Sequence, residues 1–301
     1  MVGLIQKINQ KHITIVLGLF WIIDSIFQMQ PKLFTSDFAN KVIGPFALNQ
    51  PFFLSFLMHS VINIILINPI FFNALFILVQ LSIAILILSR KTTNLGLKLS
   101  IVWGLLVWIL GEGMGGLLNA KNLILFGFPG AALLYVVIAI ALLLSNYKDH
   151  KQDILNMKWL NEFWLVFWLS GALLLLYETM GKSKVLIAMI LNMSKGEPSW
   201  LWNFNSYILR GFTTLNNLLV FILIICYLLI GLSPYLTKKW SYLGLVLAIL
   251  INLIYFFIGQ GLGGYYSGLM TDLNSSPLLI FMAIILLSIR SRQANNSLIE
   301  L

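Results

Sequence analysis

Charged side chains are scarce in this sequence, where Lys, Arg, Asp and Glu together make up 10% of 301 residues. Soluble domains carry roughly 25% charged residues, so the chain lacks the polar surface of a water-soluble protein of its size. The formal net charge is +9, but Lys and Arg lie mainly between apolar segments, as charges that orient membrane helices do. The sequence therefore predicts no nucleic-acid partner.

Cysteine and histidine are also rare. Cys226 is the single cysteine, which excludes an intramolecular disulfide, dithiol chemistry and cysteine-rich metal sites. The sequence contains no nucleophile–base–orienter set and no metal-ligand cluster, so neither a catalytic site nor a metal site is predicted, and any cofactor stays unspecified. It also contains no ATP-binding motif, so transport would be passive, ion-coupled or driven by a partner.

Apolar residues, by contrast, make up 59% of the chain, and the mean hydropathy is +0.93. This composition is typical of a polytopic membrane protein, in which each spanning helix needs about 20 mostly apolar residues. We expect a bacterial cytoplasmic-membrane protein with a retained first helix, because no small-residue cleavage site follows that helix. Eight spans are predicted, at residues 13–28, 73–89, 97–110, 131–144, 160–177, 215–232, 242–258 and 277–289.

Two further segments, 52–68 and 200–216, contain polar residues that are costly against lipid, including His59 in the first and Arg210 in the second. We predict an interfacial or half-inserted helix for each. With eight spans, the Lys and Arg clusters all fall on the cytoplasmic side with both termini, as the positive-inside rule expects. A ten-span alternative would split these clusters between the two sides.

A pair of glycine-rich motifs indicates an internal duplication. They are Gly111-Glu112-Gly113-Met114-Gly115-Gly116 and Gly259-Gln260-Gly261-Leu262-Gly263-Gly264, followed at equal distances by Pro129 and Pro277. An offset one residue shorter aligns Trp21 with Trp168. We predict an all-α, polytopic membrane helix bundle of two tandem repeats, residues 1–150 and 151–301. Each repeat has four spanning helices plus the interfacial or half-inserted helix, and an axis along the membrane normal relates the two.

Several strings look like a family of bacterial integral membrane proteins of unassigned function. They are Leu19-Phe20-Trp21-Ile22-Ile23-Asp24, Gln28-Met29-Gln30-Pro31, Asn73-Ala74-Leu75-Phe76, the first glycine motif and Gly127-Phe128-Pro129-Gly130-Ala131. This resemblance implies the architecture and no activity. The helix order of each repeat resembles the four-helix unit of DoxX-like membrane proteins, which implies a quinone-linked redox role. The family's Thr-Asp-Pro-Asn-Thr-Gly-Pro-like loop differs here, because Leu273 follows Asp272.

Two acidic residues in apolar surroundings are the main candidates for chemistry. Asp24 lies in the middle of the first span with Gln28 one turn away, and a carboxylate facing lipid is costly, so both are expected to face the protein interior. They can act as a proton relay or cation ligand, or a protonated Asp24 can pin helices together. Glu112 ends a helix, where a carboxylate opposes the helix dipole, and the second motif has the neutral Gln260 there.

The glycines of both motifs predict a helix C-cap followed by a tight turn with close backbone approach. The pattern is not interpreted as a dinucleotide-binding or phosphate-binding loop, because no strand precedes it. The glycines concerned are Gly111, Gly113, Gly115, Gly116, Gly259, Gly261, Gly263 and Gly264.

Three more residues are candidates for a pathway or ligand site. His59 can be such a residue or a hydrogen-bonded interfacial histidine. Arg210 can pair with a carboxylate such as Asp24, Glu112 or Glu178, or extend to the headgroups. Asp272, in the segment after the second motif, can be a ligand, an Asx turn or a helix cap. The corresponding segment after the first motif contains Asn119 and Asn122.

Two functions are consistent with these patterns. The first is a passive or ion-coupled transporter for a small solute or ion, with a polar pathway between the repeats lined by Asp24, Gln28, Glu112 and Gln260. The second is a membrane anchor or subunit of a quinone-linked redox system, with a quinone or a redox subunit as its partner.

Overall fold

The computed structural model describes residues 8–118, 123–147, 158–215 and 217–299. Within these ranges the backbone forms helices and no strands, which confirms the all-α prediction. The longer helices of the first half are α1 (Gln10–Phe27), α2 (Phe52–Ile67), α3 (Pro69–Leu88), α4 (Thr93–Leu110) and α5 (Ala131–Tyr147). Those of the second half are α6 (Lys158–Thr179), α7 (Ser183–Met193), α8 (Ser199–Thr214), α9 (Leu218–Leu232), α10 (Lys238–Ile258) and α11 (Ser275–Ile299).

Local sequence explains where several helices begin. The side chain of Asn9 accepts a hydrogen bond from the His12 N–H at 3.1 Å and caps α1. Asn68 caps α3 in the same way, through the Phe71 N–H at 3.1 Å, and Pro69 occupies the first helical position, where a missing N–H costs little. Short helical turns at Pro31–Phe34, Phe38–Ile43 and Gly44–Ala47 connect α1 to α2.

By length and composition, seven of the described helices are able to cross a membrane: α1, α3, α4, α6, α9, α10 and α11. The eighth predicted span corresponds to α5, an apolar helix of 17 residues. At 1.5 Å per residue α5 is about 26 Å long, at the lower limit for a spanning helix. The two predicted interfacial segments form α2 and α8, each of 16 residues.

Helix pairs within each half pack in the same order along the chain. In the first half α1 packs against α3 and α4 against α5, and in the second half α6 packs against α9 and α10 against α11. The halves meet where α5 packs against α11, two helices that are mostly buried along their described length. Large apolar side chains face outward on the surrounding helices, for example Leu78 on α3 and Leu173 on α6. This distribution is that of a bundle surrounded by lipid.

Candidate functional site

A cavity of about 390 Å³ lies within the first half and contains the acidic candidates from the sequence. Its wall is formed by α1 to α5, by the segments that connect them, and by residues of the second half, namely Gly263, Leu269, Met270, Thr271, Asp272 and Asn274. The charged residues among the described lining are Asp24, Glu112 and Asp272. Three carboxyl groups from three distant parts of the chain therefore share one cavity.

Asp24 and Gln28 lie on the same face of α1, as their spacing predicts, and each is 2% exposed. The Gln28 Nε2 donates to Asn73 Oδ1 at 2.5 Å, and Asn73 Nδ2 donates to the Gln28 carbonyl at 3.0 Å. Gln28 is therefore held by α3, while Asp24 lies beside the Tyr135 hydroxyl and the Leu273 backbone. The carboxylate of Asp24 faces the protein interior.

Glu112 follows the end of α4, and its carboxylate meets the beginning of α5. Its Oε1 accepts a hydrogen bond from the Ala132 N–H at 3.2 Å. Burial, together with the charge of Asp272, raises the pKa of Glu112 to about 8. A carboxylate at a helix N-terminus is favoured by the helix dipole, so the unfavourable end of α4 is offset by the favourable end of α5.

Asp272 lies in the loop that the second half contributes to the cavity. Its Oδ1 accepts from the Asn274 N–H at 2.7 Å, which forms an Asx turn, and Thr271 Oγ1 donates to its Oδ2 at 2.8 Å. Burial raises the pKa of Asp272, and these hydrogen bonds oppose the effect. Its charge interacts with both Asp24 and Glu112. Asp272 therefore forms an Asx turn and also lines the cavity.

Several buried polar atoms of the cavity have no hydrogen-bond partner. The acceptors are Asp24 Oδ1, Glu112 Oε2 and the Oε1 of Gln80, a residue on α3 that is 8% exposed. Two further buried atoms of the lining have no partner: Trp103 Nε1, which is a donor, and the Tyr135 hydroxyl, which can donate or accept. An unpaired buried polar group costs about 1–3 kcal/mol, so a ligand that supplies partners gains correspondingly. Gln80 was missed in the sequence, although an uncharged amide in the middle of an apolar span is a signal for an interior position.

The two glycine motifs have matching backbone conformations. Gly111 and Gly259 are the C-caps of α4 and α10, and the four residues after Glu112 and after Gln260 all have positive φ, between 49° and 78°. Close approach explains Gly115, because a Cβ there would lie 1.8 Å from the Pro129 carbonyl oxygen. Pro129 precedes α5, and Pro277 lies in the first turn of α11.

Gln260 occupies the place of Glu112 in the second half but does not line the cavity. Its Oε1 accepts from the Ser276 N–H at 3.2 Å, near the start of α11. Its Nε2 lies 3.3 Å from both the Ile124 carbonyl oxygen and Ser275 Oγ. Both side-chain polar atoms of Gln260 are therefore bonded, whereas Glu112 retains one unpaired oxygen.

The position in the second half that the sequence aligns with Asp24 has an apolar contact. The offset that aligns Trp21 with Trp168 also aligns Asp24 with Gly171. A Cβ on Gly171 would lie 2.2 Å from the Cδ1 of Ile124, which is fully buried. The motif offset aligns that Ile124 with Asp272. A loop of the first half thus contacts the second half through Ile124 and Gly171, which form an apolar contact. A loop of the second half places Asp272 near Asp24 of the first half, and both of these residues are carboxylates.

The remaining candidates lie elsewhere. His59 is on the exposed side of α2 and Arg210 is exposed on α8, and neither lines the cavity. Asn119 and Asn122 lie outside the described residues. Among the described residues, no group of three His, Cys, Asp or Glu side chains has a metal-binding arrangement.

Comparison with protein-family models, curated proteins and solved structures finds no match for the chain.

Proposed function

We propose that this integral membrane protein is a transporter for small cations, with its binding site in the acidic cavity. The observation that carries this proposal is the convergence of three carboxyl groups on one cavity whose described lining contributes no compensating cation. Asp24 is buried there, and Glu112 and Asp272 are half-buried. Burying several carboxyl groups together is unfavourable unless they share protons or bind a cation. A transporter needs a site of this kind, in which a proton and a cation compete for the same groups.

We further propose that the chain consists of two tandem repeats, residues 1–150 and 151–301. The matching helix order and the matching left-handed turns at the two motifs support this duplication. So does the pair of side chains beside the first positive-φ glycine of each turn, Gln50 at Gly113 and Glu197 at Gly261. These two side chains are aligned by the same offset as Trp21 and Trp168.

Contacts between distant loops support eight spans with both termini on one side of the membrane, and the positions of Lys and Arg favour the cytoplasm for that side. Gln260 bonds to Ile124, so the connections from α4 to α5 and from α10 to α11 lie on the same side of the bundle. An even number of crossings must separate them. With α7 and α8 outside the set of spanning helices, α5, α6, α9 and α10 supply that number only if α5 spans. Gln30 Nε2 donates to the Met270 carbonyl at 2.9 Å, which places the end of α1 on this side too.

The test is cation uptake into proteoliposomes driven by a membrane potential. Asp24→Asn is expected to lower the initial rate by about tenfold or more, because an interaction of one buried charge is worth at least 1.4 kcal/mol. Asp37→Asn is the matched control, since Asp37 pairs with Lys41 outside the cavity. Equal rates for wild-type protein, Asp24→Asn and empty liposomes would overturn the proposal.

A quinone-binding redox subunit is the second candidate, favoured by the unpaired Trp103 Nε1. This donor can bond to a quinone carbonyl, and the apolar part of the cavity can hold its ring. Such a ligand leaves the three carboxyl groups without a role. Mass spectrometry of solvent extracts from protein purified in mild detergent tests this alternative, and a stoichiometric quinone lost in Trp103→Phe would favour it over cation transport.

A further inference from the structure

The cavity that binds the cation has an aromatic wall as well as an acidic one. Phe76 packs against Trp103 with ring centroids 5.4 Å apart and against Phe38 at 5.9 Å. Trp21 and Tyr135 form a second aromatic pair at 4.5 Å. All five rings line the cavity. Aromatic faces attract organic cations and also accommodate apolar groups, whereas a small inorganic ion uses only the oxygen atoms.

The unpaired atoms at the acidic part of the cavity specify the polar group of a ligand. Asp24 Oδ1, Glu112 Oε2 and Gln80 Oε1 are acceptors, and the Tyr135 hydroxyl beside Asp24 can donate or accept. An ammonium group with N–H bonds can donate to several acceptors at once, and its charge complements the carboxylates. A quaternary ammonium ion has the charge but no donor, so it can satisfy none of these oxygens.

Apolar residues surround the opening of the cavity. Phe46 is 39% exposed and Leu106, on α4, is 45% exposed, and both line the cavity. Val61, on the neighbouring face of α2, completes this rim. The exposed part of the lining is therefore apolar and lies beside α2 and α4. Amphiphilic molecules concentrate at such a membrane surface.

From these observations we propose that the ligand is a protonated amine with an aromatic or aliphatic body, which reaches the cavity from the bilayer between α2 and α4. Its ammonium group binds Asp24, Glu112 and Gln80, and its body packs against the aromatic wall. This inference rests on the proposed cation transport and specifies its substrate class. Binding and transport are measured separately, so that failure of one is distinguishable from failure of the other.

The binding experiment uses 2-phenylethylammonium and the protein in nanodiscs, with quenching of tryptophan fluorescence and calorimetry as readouts. Saturable binding is expected for this ligand, with at least tenfold weaker binding for n-propylbenzene, its neutral isostere, and for the trimethylammonium derivative. Asp24→Asn and Gln80→Leu are each expected to weaken binding by about tenfold, and Asp37→Asn to leave it unchanged. Two cavity variants keep the test valid where one fails to fold.

Access is tested by the association rate. Leu106→Trp is expected to slow binding by about tenfold through obstruction of the rim. Val102→Trp is the matched control, because Val102 is 57% exposed one turn away on α4 and does not line the cavity. Equal slowing by both variants would overturn the lateral route.

Equal affinity for the neutral isostere, or binding of inorganic cations alone, would overturn the amine assignment. Amine binding without uptake into proteoliposomes would leave this inference standing and overturn transport. Uptake of inorganic cations without amine binding would overturn the amine assignment and leave cation transport standing.

Discussion

Glu112→Gln is expected to reduce the loss of stability that the protein undergoes as pH rises. Burial and the charge of Asp272 raise the pKa of Glu112 from 4.5 to about 8. The folded state therefore holds the proton more tightly than the unfolded state. The resulting stabilisation is complete below the unfolded pKa and is lost as pH rises through the folded pKa. At 1.36 kcal/mol per pKa unit the whole loss is on the order of 5 kcal/mol, with about 2 kcal/mol between pH ~6 and ~8.

The assay is the unfolding temperature of detergent-purified protein, measured across this pH range for the wild type and for Glu112→Gln. Domains of comparable size shift by roughly 2–4 °C per kcal/mol, so the wild type should lose about 4–9 °C more than the variant between pH ~6 and ~8. The neighbouring carboxyl groups of Asp24 and Asp272 and the Tyr135 hydroxyl are present in both proteins. The difference between the two curves of unfolding temperature against pH therefore reports the ionisation of Glu112 and its effect on these neighbouring groups.

Gln260→Glu is the reciprocal control. Its carboxylate cannot donate to the Ile124 carbonyl or to Ser275, so the variant should be less stable than the wild type and should lose further stability as pH rises. If Glu112→Gln and the wild type have parallel curves, Glu112 is ionised in the folded protein at ordinary cost, and its role in binding protons or cations is refuted.

Three further predictions concern the fold. Ile124→Ala should destabilise the protein by about 2–5 kcal/mol in denaturant titrations, because it leaves a cavity beside Gly171. A change below about 1 kcal/mol would contradict the packing of Ile124 against Gly171. Gly115→Ala should abolish recovery of folded protein by size-exclusion chromatography, whereas Gly211→Ala, which meets no atom within 4 Å, should not. Reporter fusions at the two termini should both report the cytoplasm, and opposite locations would show that α5 does not span.

The sequence predicted the parts of the site that depend on local spacing. The separation of Asp24 and Gln28 places both on one helix face, and the cost of a carboxylate in lipid directs that face inward. The glycines after Glu112 permit the positive φ values of the turn. The partners across the cavity depend on tertiary packing. No local pattern indicates that Asp272 lies beside Asp24 or that Ile124 lies against Gly171, because these contacts join segments from opposite halves of the chain.

The difference between the halves bears on why the carboxyl groups are present. At the place of Asp24 the second half has Gly171, packed by Ile124, and at the place of Glu112 it has Gln260 with its side-chain polar atoms bonded. The turn at both motifs has the same conformation, so this backbone requires neither carboxylate. Buried carboxyl groups with unpaired oxygens are less stable than this filled arrangement. The proposed ligand would account for their presence in one half only, because stability alone favours Ile124 and Gln260 at these positions in both halves.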